Sequence, residues 1–412
     1  MINIFMICSK QFTDLNLRLF AHSVKNCCKT LETNFTIEDM EKYGPNVFSM
    51  QHEIAQRRKT LVDGNSLPAA CKYCIDAEPN SMRTVWNTWN EPTSDDEREV
   101  ILESDWIQYI EIVNSTACDL ACIYCNAENS TTWAKEMGVP ITRADSTWKQ
   151  KLLETFYLYL EKKDYSLIPH ITFAFSGGEP TYDNETFELI KNIVKRVDNK
   201  TEIIIQMTSN FNTKPKQMEK FVNLMKEYPD IQWYWVASID DIHERNDAIR
   251  FHSKFDLIET NIKKIYACPN VTIIMLPSVN VFSLPFLSEY ISYYSQLLGK
   301  AEYCQRWNFG QNVITGPEYL SPFMLDKSFA SGIDNAINLS KTLGIKKSTD
   351  DSHVKWIKHL ENLKENLGSY DEEKWWRILH GFAFQRAEAR NGININDTFP
   401  HVYNKIDSII RG

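Results

Sequence analysis

The stretch of sequence that decides the fold class is CDLACIYC, residues 118–125. It places Cys118, Cys122 and Cys125 at the tight, unequal spacing CxxxCxxC. The ten cysteines of this 412-residue chain are too sparse for a small disulfide scaffold, and three of them on one short loop indicate metal binding by reduced thiolates. We therefore predict a metal-binding loop in a reducing compartment.

On both sides of this loop, short β-branched or aromatic runs alternate with longer stretches of helical periodicity. This alternation is typical of βαβ units around a parallel sheet. Helices are indicated within 148–160, 187–194, 218–225 and 258–265, and Asp183 or Asn184 is expected to cap the second of them. The predicted strands are 107–113, 170–175, 202–208, 232–238, 272–276 and 306–309.

Composition shifts suggest where this α/β domain begins and ends. The acidic segment 90–99 contains proline and serine and is typical of a linker, whereas after Pro322 strand signals stop and helical patterns continue. We expect an N-terminal extension at 1–99, whose fold stays open, a central domain at 100–322 and a mostly helical C-terminal extension at 323–412.

Three thiolates on one loop can hold three irons of a cubane cluster, because cysteine sulfur is a soft ligand suited to iron and sulfide. One iron then keeps an open coordination position. The CxxxCxxC spacing resembles the motif of radical S-adenosylmethionine (radical SAM) enzymes. The resemblance implies a [4Fe-4S] cluster on Cys118, Cys122 and Cys125 whose open iron binds S-adenosylmethionine, and a partial (β/α)6 barrel as the fold.

Further motifs follow in the order that the family requires. The segment 175–180, FSGGEP, resembles the family's GGEP motif, and glycines let backbone approach a ligand closely. Polar residues also stand at the predicted carboxyl ends of strands, where barrel enzymes place their chemistry. The resemblance assigns cofactor binding to Tyr124 near the adenine, Ser176, Gly177, Gly178, Glu179 and Pro180 around the amino group, Thr208 and Asn210, Ser238 and Asp240 towards the ribose and amino-acid portion, and Arg250 at the carboxylate.

Two alternatives apply to these residues. First, each of the polar residues at the strand ends, taken singly, is equally explained by a structural role in which it caps a strand or a turn. A zinc site at the three cysteines needs a fourth ligand from elsewhere, and it does not account for the glycine turn.

From Cys71 onwards, the chain resembles radical SAM proteins that carry a twitch domain, a shortened relative of the SPASM extension. The chain departs from that pattern because only Cys304 follows Cys268, which argues against the usual auxiliary cluster. Cys71 and Cys74 stand at ligand spacing, and the alternative for them is ordinary packed thiols. A second metal or cluster site would combine Cys71 and Cys74 with Cys304, or with one of Cys8, Cys27 and Cys28.

Charge and hydropathy limit the partners. The net charge of −9 gives no general attraction to polyphosphate, so nucleic acid is disfavoured. Apolar runs such as 272–277 fall far short of the roughly 20 residues that cross a bilayer. Residues 1–8 lack a basic region and a cleavage site, so no secretory signal is expected and a cytoplasmic location follows.

The resemblance implies reductive cleavage of S-adenosylmethionine to a 5'-deoxyadenosyl radical that modifies a substrate, with an external electron donor such as flavodoxin or ferredoxin. A peptide or protein substrate would suit the aromatic residues Trp233, Trp235 and Trp307, which are equally explained as core. A small metabolite or a nucleoside stays open. The competing hypotheses are a non-catalytic iron–sulfur or metal-stabilised binding protein, and an activase that makes a radical on a partner enzyme.

Overall fold

The fold is α/β, with mostly parallel strands and helices between them. Several features singled out in the sequence lie outside the residues that the structure describes. They are Cys8, Cys27, Cys28, Cys71, Cys74, Cys304 and the predicted domain boundary at 99. The computed structural model describes residues 14–25, 36–48, 107–141, 145–166, 168–197, 200–299, 306–310, 312–343, 352–370, 372–384, 386 and 394–411.

All six predicted strands are present, with ends within two residues of the predicted ones. They are β3, β4, β5, β6, β7 and β9 in chain order. The strands are β1 (Asp14–Arg18), β2 (Ser23–Lys25), β3 (Tyr109–Val113), β4 (His170–Ser176), β5 (Glu202–Ser209), β6 (Gln232–Ala237), β7 (Val271–Met275), β8 (Ser278–Val279), β9 (Trp307–Phe309) and β10 (Asn312–Val313).

The four helices predicted from periodicity are also present, as α3, α4, α5 and α7. The α-helices are α1 (Ile37–Tyr43), α2 (Thr131–Met137), α3 (Ser146–Lys162), α4 (Asn184–Val197), α5 (Pro215–Glu227), α6 (His243–Ile249), α7 (Phe255–Tyr266), α8 (Leu287–Leu297), α9 (Ala330–Thr342), α10 (Ser352–Asn366), α11 (Glu373–Ile378), α12 (Ile395–Thr398) and α13 (Pro400–Arg411). No helix in the described ranges is long and apolar enough to span a membrane.

Packing divides the chain into two compact units. The first comprises Met1–Thr116 and Thr142–Gln206, and the second comprises Ala117–Ile141 and Met207–Gly412. Strand β5 contributes residues to both. The predicted domain boundaries at 99 and 322 stay predictions.

In the first unit the strand order is β2-β1-β3-β4-β5. Strand β1 pairs antiparallel with β2 and parallel with β3, and β3 pairs parallel with β4. Leu17, Ile112 and Phe175 lie side by side in this register and are at most 1% exposed, so they form one layer of the core. Phe48 and Phe156 of α3 pack edge to face with ring centres 5.9 Å apart, and burial of such a ring stabilises the fold by about 2–3 kcal/mol.

In the second unit the order is β5-β6-β7-β9, with β6, β7 and β9 parallel. Trp233 and Trp235 of β6 are completely buried, and Trp307 of β9 is 4% exposed. The Trp235 ring packs against Phe211 and Phe221 at 5.4 and 5.9 Å. The interpretation of these tryptophans as core is therefore confirmed, because strand alternation points them into the packed layer rather than to a substrate surface.

The described residues after 322 form helices and short turns. Helix α9 contacts α8 and α10, and α11 contacts α13. Trp356 of α10 stacks on Phe309 of β9 at 5.2 Å, which joins this helical region to the sheet of the second unit. Closure of the strands into a partial barrel stays a prediction.

Candidate functional site

The cysteine loop, residues 117–130, has irregular backbone that the start of helix α2 holds in place. Ser130 Oγ donates to the Leu120 carbonyl at 2.7 Å, and Thr132 Oγ1 donates to the Cys118 carbonyl at 2.7 Å. The Cys118 amide donates to Thr131 Oγ1 at 3.2 Å. These hydroxyls satisfy backbone groups that no regular element would pair, so the first part of the loop has a defined conformation.

The second part of the loop is held by an indole and by backbone. Trp133 Nε1 donates to the Cys122 carbonyl at 2.8 Å. The amides of Ala121 and Ile123 donate to the carbonyls of Phe251 and Ile249 at 3.1 and 3.0 Å. The loop therefore presents its cysteines from a backbone that is fixed on two sides.

The three predicted ligands carry free thiols. Cys122 is 8% exposed, whereas Cys118 and Cys125 are half-buried. Burial raises the pKa of Cys122 to about 12 and also raises the pKa of Cys125. Within the described ranges, no three His, Cys, Asp or Glu side chains are grouped to hold a single metal ion.

Asp240 receives four hydrogen bonds and is 1% exposed. Its Oδ1 accepts from Arg250 Nη2 at 3.1 Å and from the Ser278 amide at 2.8 Å. Its Oδ2 accepts from Arg250 Nε at 3.0 Å and from Tyr124 Oη at 2.5 Å. An ionised carboxylate offers about four acceptor positions, so protein donors occupy all of them. The predicted contact of Asp240 with the cofactor stays a prediction.

Arg250 lies between this carboxylate and the cysteine loop. Its Nη1 is 3.8 Å from Cys122 Sγ, and its guanidinium carbon is 5.7 Å from the centre of the Tyr124 ring. Burial opposes its charge, but the negative charge of Asp240 and the neighbouring Tyr124 and Cys122 outweigh burial and raise the Arg250 pKa. Arg250 therefore remains a cation beside Cys122, where a thiolate would be stabilised.

Asn210 reaches the cysteine loop through a residue that sequence reasoning missed. Asp119 accepts hydrogen bonds from Asn210 Nδ2 at 3.1 Å and from Asn212 Nδ2 at 2.8 Å. Asn210 Oδ1 in turn accepts from the Asn212 amide at 2.7 Å. The Asn-Phe-Asn repeat at 210–212 was the only signal in the sequence for this link. Two amides thus fix the residue that follows Cys118.

Thr208 and Ser238 lie where they were predicted, near the ends of β5 and β6, and both are half-buried. The Ser238 amide donates to the Ser209 carbonyl at 2.8 Å. Their roles toward a cofactor stay predictions.

The glycine turn, residues 176–180, belongs to the first unit. Gly177 has φ of +79°, and a Cβ added there would lie 2.2 Å from Val113 Cγ1. Gly178 has φ of +52°. A side chain at 177 would therefore strain the backbone and force Val113 to move. The turn packs closely against the end of β3.

Other side chains hold the glycine turn from within. Glu179 is 2% exposed, and its Oε1 accepts from the amide and the hydroxyl of Thr181 at 3.1 and 2.5 Å. Asp183 Oδ1 accepts a hydrogen bond from the Glu185 amide at 2.9 Å. Of the two residues that were predicted to cap α4, Asp183 is the one that makes a capping hydrogen bond. The other oxygen of Asp183 accepts from Asn114 Nδ2 at 2.8 Å, which ties the helix start to the segment after β3.

The structure thus gathers Cys122, Tyr124, Asp240 and Arg250 into one contact network in the second unit. Asn210 joins the same loop through Asp119. The glycine turn, Ser176 to Pro180, lies in the first unit and is well defined there.

No family model matches this chain. No curated protein matches it either. Among solved structures, native anSMEcpe with bound AdoMet matches with a TM-score of 0.41 and 16% identity, over 57% of this chain and 61% of that one. Polyhistidine-tagged anSMEcpe with bound AdoMet has a TM-score of 0.40 and 17% identity, over 57% and 60%.

The native protein with bound AdoMet and the Kp18Cys peptide has a TM-score of 0.41 and 15% identity, over 57% and 60%. The chain spans about three fifths of the length of these matched structures.

Proposed function

We propose that this chain is a radical SAM enzyme that binds a [4Fe-4S] cluster through Cys118, Cys122 and Cys125. The observation that carries the proposal is the placement of the Arg250 guanidinium, 3.8 Å from Cys122 Sγ and paired with buried Asp240. A buried cation next to one cysteine of a CxxxCxxC loop suits a site that holds thiolates. The partial (β/α)6 barrel is proposed with it.

The donor set fits such a cluster. The three cysteines are free thiols on one loop, soft ligands that leave one iron of a cubane without a protein ligand. When bound, the cluster would supply one electron for reductive cleavage of S-adenosylmethionine to methionine and a 5'-deoxyadenosyl radical. An external donor such as flavodoxin or ferredoxin would supply the electrons.

The residues around the loop provide position and charge. Trp133 and Ser130 fix the loop backbone at Cys122 and Leu120 through hydrogen bonds to their carbonyls. Arg250 compensates the charge of a Cys122 thiolate, and Asp240 holds Arg250 at that distance. Arg250 is buried and Tyr124 is half-buried, so both limit the access of water to this side of the loop.

The cofactor contacts belong to the same proposal. They are Tyr124, Ser176, Gly177, Gly178, Glu179, Pro180, Thr208, Asn210, Ser238, Asp240 and Arg250.

A peptide or protein is the proposed substrate class. It rests on the resemblance to twitch-containing proteins, since Trp233, Trp235 and Trp307 are core and lend it no support. One anSMEcpe structure holds the Kp18Cys peptide, which is a fact about that protein.

The cytoplasmic location and a second metal or cluster site at Cys71, Cys74 and Cys304 stay proposals.

The test is anaerobic reconstitution with iron and sulfide, addition of dithionite and S-adenosylmethionine, and chromatography for 5'-deoxyadenosine. We expect product from the wild type and none from Cys118→Ala, Cys122→Ala or Cys125→Ala. Cys268→Ala is the matched control, because Cys268 is another free, buried thiol that lies outside the loop. A full cluster without product would favour the non-catalytic iron–sulfur or binding protein.

A further inference from the structure

One face of the sheet in the first unit is polar, although both faces of a parallel sheet are usually apolar. Leu17, Ile112 and Phe175 line the buried face. On the other face, the register places Asn16 of β1 beside Glu111 of β3, and Glu111 beside Ala174 of β4. Core packing does not require a carboxylate in the middle of three strands, so this face calls for a functional explanation.

Glu111 is held by neutral donors on both sides. Its Oε1 accepts from Ser176 Oγ at 2.6 Å, and its Oε2 accepts from Asn16 Nδ2. Glu111 is half-buried, and within the described residues no lysine or arginine forms an ion pair with it. The two bonds leave about two of its four acceptor positions open. The carboxylate is therefore fixed in position while its charge lacks a cationic partner in this part of the chain.

Asn16 adds a second acceptor at the same place. Its Nδ2 is used by Glu111, whereas its Oδ1 is buried and receives no hydrogen bond in the structure. Buried polar atoms are nearly always paired, so an unpaired acceptor beside an open carboxylate indicates a missing donor. Ala174, the register partner of Glu111, carries only a methyl group and offers no hydrogen-bond donor to the carboxylate.

The position of this group in the sheet also suits a ligand. Glu111 lies two residues before the end of β3, and Ser176 is the last residue of β4, directly before Gly177. In open and closed α/β sheets, ligands bind at the carboxyl ends of the strands.

We infer that Glu111 and Asn16 bind a positively charged nitrogen group of the substrate, an ammonium or a guanidinium. Such a group brings several N–H donors and one positive charge, which match the open oxygens of Glu111 and the unpaired Oδ1 of Asn16. The Ser176 hydroxyl and the side-chain amide of Asn16 position the carboxylate. That the ligand is the substrate rests on the proposed function, whereas its donor chemistry follows from the sheet.

The probes are the peptides Gly-Gly-Lys-Gly-Gly and Gly-Gly-Arg-Gly-Gly with acetylated N-termini and amidated C-termini, so that the side chain carries their only charge. The neutral control is the same blocked lysine peptide acetylated on its side chain. Binding to the full-length chain is measured by NMR titration, with protein as isolated and after anaerobic reconstitution. We expect the charged peptides to bind about tenfold more tightly than the acetylated one, because a charge-assisted hydrogen bond is lost.

Glu111→Gln should abolish this preference, and Glu111→Asp, which keeps the charge, should retain part of it. Glu188→Gln is the matched control: it removes one acid from the exposed side of α4 in the same unit, so the preference should persist. Equal affinity for charged and neutral peptides, an unchanged preference in Glu111→Gln, or no binding of the charged peptides would overturn the inference. Since binding requires no cleavage of S-adenosylmethionine, these outcomes are separate from those of the 5'-deoxyadenosine assay.

Discussion

Arg250 and Asp240 form a buried ion pair with two hydrogen bonds, Nε to Oδ2 at 3.0 Å and Nη2 to Oδ1 at 3.1 Å. Their exposed fractions are 6% and 1%. Tyr124 and the Ser278 amide occupy the remaining acceptor positions of Asp240. The geometry orients the third nitrogen of Arg250 toward Cys122, so Asp240 is the residue that sets the position of the charge beside the loop.

Asp240→Asn should destabilise the fold strongly. It leaves the Arg250 cation without a counter-charge, and breaking a buried pair costs about 3–5 kcal/mol. Asp334→Asn is the control, because its pair with Lys364 is exposed and worth about 0–1 kcal/mol. Urea denaturation monitored by circular dichroism compares the two. Equal midpoints for both variants would show that the buried pair adds no stability.

Trp133→Phe should loosen the cysteine loop. The variant keeps an aromatic ring but loses the 2.8 Å hydrogen bond to the Cys122 carbonyl, a loss of about 1 kcal/mol. Chelator-induced release of iron from the reconstituted protein should become several-fold faster. Trp148→Phe, at another buried indole outside the loop, should leave the release rate at the wild-type value. Release that is equally fast in both variants would argue against a specific role of Trp133.

Gly177→Ala should cost more stability than Gly138→Ala. Both glycines have positive φ, +79° and +66°, so each alanine adds about 1 kcal/mol of backbone strain. Of these two positions, only at 177 does the new Cβ meet another atom, Val113 Cγ1 at 2.2 Å, whereas nothing lies within 4 Å of the Cβ at 138. Thermal denaturation of the two variants measures the difference. A Tm for Gly177→Ala at or above that of Gly138→Ala would contradict the close packing of the turn.

His359 and His401 should make the fold sensitive to acid. Burial lowers the pKa of both imidazoles from 6.5 to about 4. Because the folded pKa lies below the unfolded one, the stabilisation is complete above about pH 6.5 and is lost as the pH falls toward 4.

The double variant His359→Gln/His401→Gln should therefore show a flatter dependence of Tm on pH between about 6.5 and 5 than the wild type. Burial raises the pKa of Asp241 to about 7, which acts in the opposite direction, so the difference between variant and wild type isolates the histidines. Parallel Tm curves would exclude their contribution.

Local patterns determined a large part of this protein. The periodicities of two and 3.6 residues correctly predicted β3 to β7, β9 and the main helices, because burial of one face imposes them on the chain. The CxxxCxxC loop and the glycine turn were equally visible, since each depends on residues that are close in sequence. Strands β1 and β2 were not predicted, because the sequence around them shows mixed patterns without a clear period and the fold of residues 1–99 was left open.

Only the tertiary structure decided which polar groups meet. Glu111 bonds to Asn16 across 95 positions of the chain, and Arg250 approaches Cys122 across 128. No spacing rule relates such partners, because strand register and helix packing bring them together. Packing likewise buried Trp233 and Trp235, which by residue type alone were equally compatible with a binding surface. The sequence thus showed which ligand, acid and cation side chains the chain carries. The distances between these side chains and the pairing of their charges arise only from packing.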